Sequence, residues 1–467
     1  MNILKKIFAV ENLIPKAYRT NPLPTSKEVY KKTLKIAWPS AMEAILISLI
    51  GAVDMMMVGG IGTNAIAAVG ITTQPKFLMM SLVFALNIGT TVIISRRKGQ
   101  NDQVGAQKAL RNALILSVVI AIITTIIGIV FARPFLLFSG ANLDYLMDAV
   151  IYFRIVMVGN AFYLISLTLT AGQRGVGNTK ISLFTNLSAN LVNVLFNYLL
   201  INGIWIFPRW GIAGAAVATT MGNIVALVLA IYNVSKKDNF LHINFKQNWS
   251  LDKDTLQTIW KISSSALVEQ VFIRIGFMMY AKAVAGLGTL EFATHYIVMQ
   301  VMSLTFSVGD GLSIATSSLV GQSLGAKRTD LAYIHGKVSQ RIGFVISLSL
   351  AVAIILNRYF IISLFSRNEE IIALGGSILI ILSFIIQFQI AQVITVGSLR
   401  GAGDVKFVAT LSLVSVTILR PVLTYILAYT LGLGLYGAWF SVVFDQMIRY
   451  VFSRVRFKNA EWIKIEV

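Results

Sequence analysis

Long apolar runs recur along this chain from Leu34 to its last fifty residues, broken only by short clusters of glycine, proline and charge. Ala113–Ile129 and Ile342–Leu356 contain no charged residue at all. A helix crossing a bilayer needs ~20 apolar residues, so hydrocarbon is the solvent these runs demand. Only 13% of the residues are charged, about half the usual share for a soluble domain. Too little polar surface exists to cover a water-facing body of this size, and no polar block is long enough for a soluble domain beside a single span.

Apolar runs bounded by Gly, Pro and charge predict twelve helices, at 34–59, 65–94, 106–132, 145–170, 180–203, 210–235, 256–284, 290–322, 330–356, 371–398, 406–430 and 434–455. The net charge of +20 reads as loop charge obeying the positive-inside rule, with no module for nucleic acid. Basic residues cluster in the N-terminal segment, at Arg96-Arg97-Lys98, Arg174 and Lys180, Lys236-Lys237, Lys327-Arg328, Arg400 and Lys406, and Arg454–Lys464. The opposite side carries only Arg133, Arg209, Lys282, Arg358 and Arg367. Both termini are therefore expected in the cytoplasm, an alternation that requires an even number of spans. Met1–Lys35 holds a short apolar run at Ile7–Val10 and no cleavable signal pattern, so the first span is expected to direct insertion. No cysteine is present, which removes disulfides and thiolate metal sites.

The chain also matches itself. Arg174-Gly-Val-Gly-Asn-Thr-Lys180 returns as Arg400-Gly-Ala-Gly-Asp-Val-Lys406, 226 residues later. In the same register Gly62-Thr63 returns as Gly288-Thr289, Ala67–Gln74 aligns with Ala293–Gln300, and Glu43 maps onto Glu269. Gly211 and Gly214-Ala215 match Gly434 and Gly437-Ala438 at an offset of 223. Two six-helix halves of equal orientation follow, related by an axis along the membrane normal, a layout suited to alternating access. We expect a cytoplasmic segment at 1–33, a first lobe at 34–236, a cytoplasmic linker at 237–255, a second lobe at 256–457 and a tail at 458–467.

Ionisable groups inside spans are functional candidates by default. Asp54 lies among Gly51-Ala-Val and Met55-Met-Met, where a carboxylate must be protonated, paired or bound to a cation. Asn186, Asn190, Asn193 and Asn197 repeat at spacings of four, three and four and so share a helix face. With Thr219 and Asp54 they offer oxygen ligands for a hard cation. Tyr152 is a weaker member of this group. Lys76 and Arg154 are read as snorkelling to the interface, and Asp310, Arg420 and Asp445 also fall within spans. His242, His295 and His335 have no metal-ligand spacing. Met55–Met57, Met79-Met80 and Met278-Met279 are candidates for an adaptable pocket lining.

The repeated Arg-Gly-x-Gly-(Asn/Asp)-x-Lys loop resembles the multidrug and toxic compound extrusion (MATE) family. So do Asn193–Ile201 followed by Gly211–Thr219, Leu319–Ala326, and Leu419-Arg-Pro-Val-Leu-Thr-Tyr425. The likeness spans roughly residues 30–457. It implies an all-α integral membrane protein of twelve helices in two pseudo-twofold-related six-helix bundles forming a V. It further implies efflux of organic, cationic compounds by proton- or sodium-coupled antiport, without a cofactor, from a monomer in the inner membrane. Pro39 and Asp54 reproduce the family's spacing of a first-helix proline, here a hinge candidate, and a cation-binding acid. The resemblance carries the cation or proton role to Asp54, Asn193, Asn197, Thr219 and Tyr152, with sodium the one metal considered. Asn197 stands where the family often has an aspartate. Glu269 is placed like the seventh-helix acid of the NorM-type branch and is expected either to meet substrate or to pair with Arg274. Gln389 occupies that branch's second acidic position, and Arg420 resembles a family feature. A second-lobe sodium site is therefore not expected.

Substrates implied are amphipathic drugs, dyes or metabolites. No P-loop, HExxH or GxSxG motif supports an enzyme. A channel fits poorly, because Asp54 maps onto Tyr280, not onto a second acid. A lipid or polysaccharide-precursor flippase of the same superfamily is the remaining alternative. The orientation is tested by single cysteines at Gln100, Asn248 and Thr63. We expect membrane-impermeant maleimide on intact cells to label the Thr63 position alone; equal labelling at Gln100 or Asn248 overturns the topology.

Overall fold

A computed structural model of the chain describes residues 9–14, 22–243, 249 and 251–465. Residues 244–248 and 250 of the expected linker, and parts of the expected terminal segments, lie outside them. Twelve long helices follow in order: α1 Ser26–Gly59, α2 Thr63–Gly99, α3 Gln103–Val130, α4 Leu143–Gly175, α5 Thr179–Asn202 and α6 Gly211–Ser235 in the first half. The second half has α7 Lys253–Ala285, α8 Thr289–Gly325, α9 Thr329–Ser363, α10 Glu369–Ala402, α11 Val405–Thr430 and α12 Gly434–Asn459. No strand occurs among the described residues.

Eleven of these helices are long and apolar enough to cross a membrane. The exception is α12, which carries Asp445, Arg449, Arg454, Arg456 and Lys458 and pairs the first two internally. Several helices outrun the apolar stretch that predicts them. α1 starts at Ser26, eight residues before position 34, through Lys27, Lys31 and Lys32. Apolarity marks only the part in lipid, whereas the backbone bonding continues into water.

Turn chemistry explains the repeated glycine loop. Gly177 (φ 85°) and Gly403 (φ 91°) occupy the same repeat position, and both take the left-handed conformation that ends a helix. Side-chain caps add further stops: Asp102 accepts from the Gly105 N–H at 2.8 Å, and Asn368 from the Glu370 N–H at 2.9 Å.

Two compact units divide the chain, one of Ile45–Leu267 and one of Met1–Ala44 with Val268–Val467. The boundaries fall inside α1 and α7. Within Ile45–Leu267, α4 is central: Phe153, Met157 and Leu164 are buried, and Arg154 donates to the Ile129 carbonyl at 3.2 Å. Asp252 anchors the start of α7 to α3, accepting from Lys108 at 2.7 Å while its N–H donates to Asn112. Bonding from Lys108, then from Thr255, holds the Asp252 carboxyl down at about 2.

In the other unit α10 buries one broad face, with Leu379, Leu382, Ile386, Ile390 and Ile394 packed against Leu312, Ile354 and Trp439, while Ile380 and Phe384 stay exposed. Here α11 is irregular. Leu413–Leu419 and Ile426–Thr430 are π-helical, on either side of a short α segment opening at Arg420-Pro421. Pro421 withholds one backbone donor. α7 approaches closely, since Gly276 abuts the Val416 carbonyl and the Thr417 hydroxyl donates to the Phe272 carbonyl at 2.7 Å.

A similar contact sets α6 against α5. A Cβ on Gly222 would lie 2.7 Å from the Ala189 carbonyl oxygen and 3.0 Å from Asn193 Cβ. Gly222→Val should therefore cost about 1–3 kcal/mol through overpacking, and lower the melting temperature in detergent. Gly51, with nothing within 4 Å of its Cβ position, supplies the control. Equal melting of Gly222→Val and Gly51→Ala overturns the packing argument.

Candidate functional site

Asp54 projects from the second half of α1 and is half-buried. Around it α1, α2, α4, α5 and α6 contribute Val58, Ala65, Val156, Ile201 and Ala216 to an apolar cluster. A carboxylate in such a setting must find hydrogen-bond donors. Asn197 supplies one, its amide donating to Asp54 Oδ1 at 2.8 Å. Asn193, in the amide orientation that satisfies all its neighbours, donates to Oδ1 at 2.8 Å and to Oδ2 at 3.0 Å. Its oxygen then accepts from the Thr219 hydroxyl at 3.2 Å. Tyr152, 8% exposed within the same cluster, lies in electrostatic reach of Asp54.

All five first-half candidates thus meet in one place. The helical row of asparagines divides: Asn193 and Asn197 are buried against Asp54, while Asn186 and Asn190 are half-buried. The donors matter chemically. Both amides turn their N–H groups toward Asp54, an arrangement that solvates an ionised carboxylate. Asn197 Oδ1 is buried without a hydrogen-bond partner.

Lys76 belongs to this site. The sequence places it at the interface, yet it is half-buried and interacts electrostatically with Asp54. Its ammonium also stands 5.7 Å from the Phe77 ring. The omission has a simple origin: Asp54 and Lys76 are on different helices, and no short-range spacing links them.

The second-half candidates do not form a matching site. Glu269 is 1% exposed; it accepts from Arg400 at 2.7 Å and from the Ser412 hydroxyl at 3.0 Å. Arg400 replaces Arg274 as the expected partner, since a residue five positions along a helix is turned away from the first. Gln389 is buried with its Oε1 unpartnered. Arg420 forms a fully buried ion pair with Asp445, and its guanidinium stands 5.1 Å from the Phe277 ring and 5.7 Å from that of Tyr280. Arg449, which sequence reading overlooked, also donates to Asp445, at 3.1 Å. The i, i+4 spacing of Asp445 and Arg449 was its signal. Pro39 is buried inside α1, and the helix continues through it. Glu43 is buried as well.

Among the methionines, Met56 and Met278 are exposed and Met80 is buried. His295 is packed edge-on to Tyr280 at 5.3 Å, and His335 exchanges a hydrogen bond with Thr33. Among the described residues no group of three His, Cys, Asp or Glu is placed to hold a metal ion.

Comparison with known proteins accords with this architecture. The family model described as MatE matches residues 39–199 and again 266–426, one copy in each half of the repeat. The "Uncharacterized transporter YisQ" of Bacillus subtilis is 26% identical over 430 residues, covering 92% of this chain and 94% of its own. A "Probable multidrug resistance protein NorM" of Thermotoga maritima is 25% identical, over 95% and 96%. Among solved structures, the outward-facing conformation of a multidrug resistance MATE family transporter superposes with a TM-score of 0.86 at 21% identity, over 93% of this chain and 97% of its own. A MATE protein in a bent conformation gives 0.85. With the MatE pattern present twice and spanning most of the sequence, this multi-pass membrane protein belongs to the MATE family of transporters.

Proposed function

We propose that the protein is a plasma-membrane efflux transporter for amphipathic organic compounds, driven by proton entry, with Asp54 as the group that takes up and releases the proton. The similarity to multidrug resistance proteins supports the efflux reading. The donor arrangement around Asp54 carries the choice of ion. Asn193 and Asn197 both offer N–H groups to it, Lys76 lies in electrostatic reach, and a sodium ion would have to reverse both amides beside an existing cation.

The physical step is a change of charge in an apolar place. Ionised, Asp54 is held by the two amides and balanced by Lys76. Once protonated it loses its attraction for the ammonium, and α1 is released to repack about the bend that Pro39 permits. Burial disfavours the charged form while the N–H donors favour it, so water access from one side or the other shifts the balance. Asp54 also gives the first half a negative group for organic cations, the substrate charge that the family resemblance implies.

Two experiments follow. Asp54→Asn, which fixes the neutral state, should fold and reach the membrane but reduce efflux of a dye such as ethidium at least tenfold at equal expression. Wild-type efflux by this variant overturns the coupling role. In proteoliposomes an imposed pH gradient should drive transport by the native protein where a sodium gradient does not. Transport driven by sodium alone overturns proton coupling.

A third test concerns Lys76. Native protein should melt at the same temperature in sodium and choline chloride, because the ammonium already serves as the local cation. Lys76→Gln vacates that role, and sodium should then stabilise the variant by RT ln(1 + [Na⁺]/Kd). Sodium stabilisation of the native protein, or none in the variant, contradicts this account of the site.

A further inference from the structure

The unit containing α8–α12 gathers buried charge that the Asp54 chemistry does not use. Glu269 comes from α7, Arg400 from the end of α10, Arg420 from α11, and Asp445 and Arg449 from α12. Arg420 and Asp445 are 1% and 0% exposed, and the side chains of Arg449 and Arg400 are 12% and 22% exposed. The two pairs form one cluster, because Arg449 interacts electrostatically with Glu269 as well as with Asp445 and Arg420.

The cluster is not balanced. Three guanidiniums face two carboxylates, which leaves one positive charge. The donors also outnumber their acceptors. Arg420 and Arg449 both bond Asp445 Oδ2, and the Ser415 hydroxyl occupies Oδ1. The Nε groups of Arg400, Arg420 and Arg449 are buried with no hydrogen-bond partner, as is Gln446 Oε1. Two acceptors are left over, that Gln446 oxygen and Glu269 Oε2, against three guanidinium Nε donors.

A purely structural brace for the irregular α11 needs one arginine for Asp445, and Arg420 is that arginine. Arg449 is surplus to it. Uncompensated charge within a span costs several kcal/mol, and an arginine fork is shaped to take a planar oxyanion through two parallel bonds. Phe277, half-buried and already against Arg420, adds aromatic surface beside it, with the buried Tyr280 ring behind the guanidinium.

We propose that Arg449, backed by Arg420 and Arg400, binds the carboxylate of an aromatic amphipathic substrate. This second-half site would receive anionic or zwitterionic compounds, unlike the Asp54 site. The assignment rests on the transporter reading but not on proton coupling, because its test measures equilibrium binding without a gradient. An anionic lipid headgroup presents comparable oxyanion chemistry, and the test separates the two sources.

The experiment uses the full chain in phosphatidylcholine nanodiscs and two radiolabelled probes of matched shape, 1-naphthaleneacetate and its neutral amide. Native protein should bind the acid at least tenfold more tightly than the amide. Arg449→Gln leaves the Arg420–Asp445 pair in place and should bring the ratio close to one without weakening the amide. Arg449→Lys keeps the charge but loses the fork, and should retain only part of the preference. This variant serves the test if Arg449→Gln does not fold. Equal binding of acid and amide by the native protein overturns the proposal, as does an unchanged ratio in either variant. Adding phosphatidylglycerol to the discs should leave acid binding unaltered; its suppression there assigns the cluster to lipid and overturns the substrate site.

Discussion

Every backbone and side-chain polar group placed in hydrocarbon must be satisfied by the protein itself, and the remaining features of this molecule descend from that requirement. It dictates helices for the spans and confines irregular turns to their ends, where Gly177 and Gly403 reverse the chain. It brings helices close at small residues, as Gly222 does beside Asn193. Above all it makes each buried charge carry its own partners, which is why Asp54 is surrounded by amides and an ammonium, and why Asp445 sits beneath two arginines. The same rule turns any surplus charge into information about what else the protein holds.

The two halves share a layout but not a chemistry. Position 54 of the first half corresponds to Tyr280 of the second, where a phenol donates to the Ala438 carbonyl at 3.2 Å and lies under Arg420. Where the first half keeps an acid near one lysine, the second keeps arginines in excess. Duplication thus supplied two equivalent scaffolds, and substitution gave them different electrostatic character, an acid offset by a lysine in one and an excess of arginine in the other.

Much of the architecture is legible in the sequence because hydropathy and repetition are long-range signals averaged over many residues. The helices, their even number and the internal repeat all emerge from such averages. The Asp54 group is legible for another reason. Asn193 and Asn197 share a helix face, and a carboxylate in a span requires explanation wherever it occurs. What stays hidden depends on contacts between separate helices. Nothing within a few residues of Lys76 points to Asp54, and nothing near Glu269 points to Arg400. The helical extension of α1 into water escapes notice because its residues are basic and leave no apolar trace. Irregularity in α11 is hidden too, since Pro421 signals a disturbed ladder without saying that the helix widens.

That widening has a mechanical meaning. A π-helical stretch holds one more residue per bonded loop than an α-helix, and its position along a helix is not pinned by loss of hydrogen bonding. Shifting it by a turn rotates the segment it passes by about 100° per residue absorbed, with the ends of the helix left where they were. Arg420 lies between two such stretches. The direction in which the guanidinium leaves the helix, toward Asp445, is thereby set by two widened stretches and not by the α-helical register alone.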